Sequence, residues 1–261
     1  MFLNFFSIFL ISAIEGITEF FPVSSTAHII IFSYFLNVPL GMDFVVGIQL
    51  GAIFAVFLLY GRYIKMIYNE IISFKLKLTV IFGIITVPTL ILGFVLHKIG
   101  YVSFSKNVLY IMVVNLIVGG VLMLIFRNKE GEVGDILTIS WKSALKIGLI
   151  QSLSLVPGVS RSASVVFGGI FSNLKKSVAI ELSFLSGVPI IFCATVLEVY
   201  SGYKNDTNVQ SWWVLCVSML ISFIFALLGI KMMKFLAKYG KDFEIFGVYR
   251  IIIGVVLLFI I

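Results

Sequence analysis

The chain has 261 residues, 61% of them hydrophobic and only 12% charged, with a formal net charge of +7. Soluble domains carry about 25% charged residues, so a soluble globular domain is excluded, and long apolar runs without strict alternation exclude a β-barrel. Lys and Arg sit in short segments between those runs rather than on one basic face, which removes nucleic acid as a partner. The expectation is an all-α polytopic integral membrane protein, one membrane domain over residues 1–261, with no polar stretch long enough to bury a soluble core.

Phe2–Ile14 is apolar but short for a span, and it lacks the positively charged start of a cleaved signal peptide. It runs directly into Glu15-Gly-Ile-Thr-Glu-Phe-Phe-Pro-Val-Ser-Ser-Thr-Ala-His28. This motif gathers two carboxylates, four hydroxyls (Thr18, Ser24, Ser25, Thr26) and one of the two histidines. A charge at membrane depth costs at least about 2.5–3.5 kcal/mol, so an intramembrane glutamate marks a functional site. Pro22 has no backbone donor and breaks or kinks a helix. Broken backbone at that depth persists only where protein or a wet cavity satisfies the freed groups. With Ile29–Leu36, the stretch reads as a helix–break–helix that enters the membrane and turns back.

Phe44–Tyr60 is the next predicted span, followed by a basic loop, Gly61–Lys77, carrying Arg62, Lys65, Lys75 and Lys77. Leu78–Leu96 and Val108–Phe126 are spans, and Arg127–Lys146 is the most polar loop. A second broken segment runs through Leu145–Val156, Pro157-Gly158-Val-Ser-Arg-Ser-Ala-Ser164 and Val165–Phe171. Val178–Tyr200, Trp212–Ile230 and Ile245–Ile261 complete the spans. Pro88 and Pro189 fall inside spans, where kinks are ordinary. His97 is read as a solvated loop residue, and Trp141, Trp212 and Trp213 as interface anchors. Cys193 and Cys216 lie in apolar runs and suggest neither a disulfide framework nor a metal motif.

The two broken segments match: Val23-Ser-Ser-Thr-Ala-His28 aligns with Val159-Ser-Arg-Ser-Ala-Ser164, each shortly after a proline. The chain therefore reads as a duplication, repeat one over about 1–126 and repeat two over about 144–261, each a re-entrant hairpin plus three spans. Placing the loop Gly61–Lys77 inside puts the loops Arg127–Lys146, Asn173–Lys176 and Lys231–Lys241 there too, fourteen Lys and Arg residues in all, against Lys98, Lys106 and Lys204 outside, as the positive-inside rule requires. The first hairpin then dips in from outside and the second from inside. These are inverted-topology repeats, whose broken helices meet near the midplane at a binding site.

Glu15 and Glu19, four apart, fall on one helix face. Two carboxylates together in low dielectric need a bridging cation or a proton, and oxygen-only ligation suits Mg²⁺ or Ca²⁺. Ser25 and His28, three apart, can cooperate as nucleophile and base, in either assignment. Arg161 is read as the only arginine inside a membrane element away from a loop, and its planar fork matches phosphate oxygens. Ser160, Ser162 and Ser164 surround it, and Gly158 frees backbone N–H groups to bind an anion. Gln49 and Glu181, near the starts of the spans after each hairpin, are candidates for supporting the site.

Glu15–His28 and Pro157–Ser164 resemble the two signature segments of the bacitracin-resistance undecaprenyl-diphosphate phosphatase family, and Ile48-Gln-Leu-Gly51 and Glu181–Pro189 resemble its corresponding spans. The resemblance covers essentially the whole chain. It implies an acid anhydride hydrolase that removes the terminal phosphate of undecaprenyl diphosphate, recycling the cell-wall carrier lipid and giving bacitracin resistance. It places the family's acidic pair, serine, histidine and arginine on Glu15, Glu19, Ser25, His28 and Arg161 and implies a divalent cation. With the residue chemistry above, the expected catalytic set is Ser25, His28, Glu19 and Arg161, substrate binding falls to Arg161, Ser160, Ser162 and Thr26, and Mg²⁺ or Ca²⁺ to Glu15 and Glu19. The resemblance also implies the bacterial inner membrane with the site facing outward, a polyprenyl-diphosphate lipid as partner and room for a homodimer. Ala27 and Ala163 depart from the pattern by standing where glycine is more often expected. A transporter or flippase of lipid phosphates, built on the same inverted-repeat site, is the rival reading.

Overall fold

The computed structural model describes residues 5–38, 41–99, 106–204 and 212–259. Eleven α-helices account for most of them: α1 Phe5–Glu19, α2 Ser25–Leu36, α3 Met42–Leu59, α4 Gly61–Ser73, α5 Lys77–Lys98, α6 Lys106–Ile125, α7 Trp141–Ser152, α8 Arg161–Phe171, α9 Lys176–Lys204, α10 Trp212–Lys238 and α11 Asp242–Leu258. Apart from one isolated bridge between Val133 and Leu174, the described residues contain no extended pairing. Four helices, α5, α6, α9 and α10, are long and apolar enough to cross a membrane, and α3 with α4 makes a fifth if that bent pair counts as one span. The protein is an all-helical, polytopic membrane protein.

Two predicted loops are corrected. Gly61–Lys77 is mostly helix: α4 turns 84° away from α3 and buries none of its residues. Its Lys and Arg interrupt the apolar run, which is why the sequence reads as a loop, yet Tyr63, Ile64 and Ile67 sit half-buried on one helical face as an amphipathic helix requires. Glu70 closes the turn, accepting from the backbone N–H of Leu78 and Thr79 at 3.0 and 2.8 Å at the start of α5. The basic run Lys231–Lys241 likewise begins inside α10, which continues to Lys238.

His97 is not simply solvated. It lies in the last turn of α5, 3.9 Å from the Glu198 carboxylate of α9. Glu181 pairs with Lys234 at 3.1 Å on the surface and plays no part in the cavity described below. Trp141 and Trp213 are exposed, as anchors would be; the side chain of Trp212 lies outside the described residues.

The first helix of each broken segment packs on the other half of the chain. α1 packs on α10 and α7 packs on α5, while α6 packs against α11 and α3 against α9. Backbone geometry repeats as well. Ser24 and Ser160 both have φ 68°, and Asn37 and Asn173 have φ 52° and 65° at the same interval further along. Such left-handed positions are rare outside glycine. Ala27 and Ala163 are buried and neither has a positive φ, so the departure from glycine at those positions needs no backbone adjustment.

Candidate active site

The turn between α1 and α2 is set by aromatic burial. Phe20 packs edge-on against Phe184 of α9, and Phe21 packs against Phe246 of α11, all four rings buried. In lipid the gain comes from close packing rather than escape from water, and these four rings fix where the chain leaves α1. Pro22 prevents α1 from continuing.

The turn between α7 and α8 is set by close backbone approach instead. Gly158 has φ 88°, and a Cβ there would stand 2.6 Å from the Met112 carbonyl oxygen of α6, so only glycine fits. Asn115 of α6 donates to the Pro157 carbonyl at 2.8 Å. Ser160 caps α8, its hydroxyl accepting from the Ala163 N–H at 3.3 Å.

Three contacts tie the breaks together. Arg161 Nη2 donates to Glu19 Oε1 at 2.8 Å. The Ser162 hydroxyl donates to the Phe21 carbonyl at 2.7 Å. Arg250 of α11, only 1% exposed, donates at 2.9 Å to the Pro22, Gly158 and Asn115 carbonyls and at 3.4 Å to Leu116. One guanidinium thus binds a carbonyl from each break and two from α6. Arg161 fits only because residue 187 is glycine, where a Cβ would lie 2.3 Å from its Nη1.

Between the breaks lies a cavity of about 200 Å³. Glu19, Ser24, Ser25 and Thr26 line it from the first hairpin, Pro157, Gly158, Ser160 and Arg161 from the second, with Gln49 of α3 and Thr89 of α5. Its walls therefore include the N-termini of both α2 and α8. The first N–H groups of a helix lack intrahelical acceptors and carry partial positive charge. Two such ends beside an arginine make an anion site.

Within it, the Ser25 hydroxyl donates to Glu19 Oε2 at 2.7 Å. Glu19 thus holds Ser25 with one oxygen and Arg161 with the other.

His28 is placed differently from the expected Ser25–His28 pairing. Nδ1 lies 2.8 Å from the Ser24 carbonyl and Nε2 lies 2.7 Å from the Tyr249 hydroxyl, with the two rings stacked. A carbonyl only accepts, so Nδ1 carries the proton and Nε2 accepts from Tyr249. The ring faces α11 and does not line the cavity. Ser162 also stays out of the lining because its hydroxyl is committed to Phe21, whereas Thr26, Ser160 and Arg161 reach it.

Glu15 lies one turn before Glu19, is fully buried, and neither of its oxygens has a hydrogen-bond partner. Glu19, Gln49 and Ser25 are its polar neighbours. A bare carboxylate is untenable there, so a proton or a cation neutralises it. Among the described residues no group of three or more His, Cys, Asp or Glu side chains gathers to ligate a metal. Two carboxylates are nevertheless what Mg²⁺ commonly takes from a protein when substrate phosphate and water supply the rest.

Arg250 and Tyr249 were missed from sequence. Arg250 corrects the reading of Arg161 as the only arginine inside a membrane element: it lies within the predicted last span, and the same cost of buried charge would have marked it. Nothing in the sequence near Tyr249 points to His28, 221 residues away.

A family model described as bacitracin resistance protein BacA matches residues 8–256. An undecaprenyl-diphosphatase of Sulfurihydrogenibium sp. is 37% identical, the match covering 94% of this chain and 95% of that protein. One from Methanococcus aeolicus is 36% identical over 98% of both chains, and one from Aquifex aeolicus 37% identical over 93% of both. The chain belongs to the BacA family of bacitracin resistance proteins.

Proposed function

We propose that this protein hydrolyses undecaprenyl diphosphate to undecaprenyl phosphate and inorganic phosphate, recycling the carrier lipid of cell-wall synthesis and conferring bacitracin resistance. The observation that carries the reading is the convergence on one cavity of Arg161, two helix N-termini and a serine held by a carboxylate.

The terminal phosphate sits between Arg161 and the N-termini of α2 and α8, whose charge stabilises the oxygens as the bridging bond breaks. Ser25 Oγ attacks phosphorus and Glu19 Oε2, already its acceptor, takes the proton. The bridging P–O bond breaks and the monophosphate lipid departs with the electron pair. Water then releases phosphate from Ser25. His28 serves by fixing the Ser24 carbonyl at the left-handed turn, with Tyr249 behind it.

Glu15 and Glu19 fit a divalent cation of the Mg²⁺ type better than Ca²⁺, which demands more protein oxygens. When bound, it would neutralise charge on the diphosphate.

The two halves are read as inverted repeats, supported by the matched positive-φ residues and the exchanged packing of α1 and α7. The protein is read as a bacterial inner-membrane protein with the cavity facing outward, an orientation supported by the excess of Lys and Arg in the segments placed inside.

The test is phosphate release from undecaprenyl diphosphate by the purified chain in detergent, with and without Mg²⁺ or Ca²⁺. Release that Ser25→Ala abolishes supports the reading. A folded protein that releases none with any cation, yet moves lipid phosphate across vesicles with Ser25→Ala intact, is a transporter.

A further inference from the structure

A second cavity, about 350 Å³ and almost wholly apolar, opens beside the first. Its walls are Phe57 of α3, Ile64 and Ile67 of α4, Phe82 and Gly83 of α5, and Leu185 of α9, with Thr79, Thr86, Val188 and Pro189. The two threonine hydroxyls are turned to partners outside the space: Thr79 donates to Glu70, and Thr86 to the Phe82 and Gly83 carbonyls. The threonines thus add no free polar group to this surface.

Its position relates it to the polar cavity. On α5, Thr79, Phe82, Gly83 and Thr86 line the apolar space and Thr89 lines the polar one. That spacing is a single helical stripe. Thr86 to Thr89 is a rise of about 4.5 Å. On α9 the two linings lie on different sides of the helix, Leu185, Val188 and Pro189 toward the apolar space and Ile190, Ile191 and Ala194 toward the polar one. α4, bent across the end of α3 and clamped to α5 by Glu70, closes the far end.

We infer that this apolar cavity is the binding site for the prenyl chain of the diphosphate substrate. The assignment rests on the phosphatase reading above. A diphosphate held at Arg161 must send its hydrocarbon somewhere, and a dry surface begins one helical turn away on the same face of α5.

Gly83 determines the width of the path. A Cβ at Gly83 meets nothing within 4 Å, although the residue is half-buried in the middle of a helix. A side chain there enters the cavity without touching the polar site, and replacing a mid-helix glycine favours the helix itself.

The experiment compares the purified wild-type chain with Gly83→Ala, Gly83→Leu and Gly83→Phe. kcat/KM is measured for undecaprenyl diphosphate and for geranyl diphosphate, which carries the same head group on a far shorter chain. Selectivity for the long chain is expected to fall as the side chain grows, by about tenfold at phenylalanine, the ratio that goes with lost burial of a couple of methylene groups. The alanine and leucine variants keep the series readable if phenylalanine does not fold. A selectivity unchanged across the series overturns the inference and leaves the cavity to bilayer acyl chains. An equal loss for both substrates also overturns it, since the wedge is then acting on the polar site. A wild-type chain that hydrolyses neither substrate fails the phosphatase reading itself, and this inference with it.

Discussion

The break at Phe20–Ser24 and the break at Leu153–Ser160 deliver the same object to the cavity, a helix N-terminus entered through a serine at φ 68°, by opposite means. The first is held from outside by two buried phenylalanines, leaving its polar groups free to work: Glu19, Ser25 and Thr26 all line the cavity. The second is held from within, by a glycine against α6 and by its own serines: Ser160 caps α8 and Ser162 reaches Phe21. Its remaining chemistry is one arginine. In the proposed mechanism the two breaks are therefore loaded asymmetrically, with nucleophile and base at one and the anion clamp at the other, and neither break would make a site alone.

The largest effect should follow from cutting the bond between them. Arg161→Ala is expected to lower kcat by about 10³-fold or more, the range for removing an arginine that stabilises phosphoryl-transfer charge. Arg161→Lys should recover little, because a point charge cannot bind Glu19, the Ser183 carbonyl and a phosphate together. Phosphate release checks both. If Arg161→Lys were nearly wild-type, charge alone would suffice and the fork geometry would be irrelevant.

Next comes Arg250, which belongs to neither break but binds both. Arg250→Met leaves the Pro22, Gly158, Asn115 and Leu116 carbonyls without this donor in a buried place, at about 1–3 kcal/mol each where no other partner replaces it. A fall of many degrees in the unfolding midpoint in detergent is expected. An unchanged midpoint would mean that the breaks stand without it.

These residues also show what was legible in the sequence. The buried-charge rule found Glu15, Glu19 and Arg161, because a carboxylate or guanidinium in a hydrocarbon run stands out locally. The same rule applied to Arg250, whose span looked otherwise ordinary and was read for its apolar length. The long spans α5, α6 and α9 were readable from hydropathy. α4 was not, since its apolar run is interrupted by Lys65, Asn69 and Glu70 and only the bend at Tyr60 makes its apolar face useful. The orientation of His28 was illegible for another reason: i, i+3 spacing brings two residues to one side of a helix, but it does not decide whether an imidazole turns to its neighbour or to a hydroxyl on another helix.

Tyr249→Phe tests that orientation. It removes the one hydroxyl that donates to His28 Nε2, worth about 0.5–1.5 kcal/mol. If His28 only steadies Ser24, kcat should fall by no more than about tenfold, with KM little changed. A loss as deep as that of Arg161→Ala would place Tyr249 and His28 in the proton path instead.

The smallest effect separates the two serines. Both occupy a left-handed conformation that costs a non-glycine residue about 1–3 kcal/mol, so glycine should relieve strain at either. At Ser24 the side chain makes no cap bond, and Ser24→Gly is expected to be neutral or to stabilise by up to about 1 kcal/mol, after the added entropy of the unfolded chain. At Ser160 the hydroxyl accepts from Ala163 N–H and bonds Ser162 at 3.1 Å. Losing the cap costs a few tenths of a kcal/mol against glycine and losing the second bond about 1 kcal/mol, so Ser160→Gly should give no gain or a small loss. Unfolding midpoints in one detergent should therefore diverge by about 2–4 °C for each kcal/mol of difference in a chain of this size. If both rise together, backbone strain outweighs the serine network, and the second break is held by Gly158 and Arg250 alone.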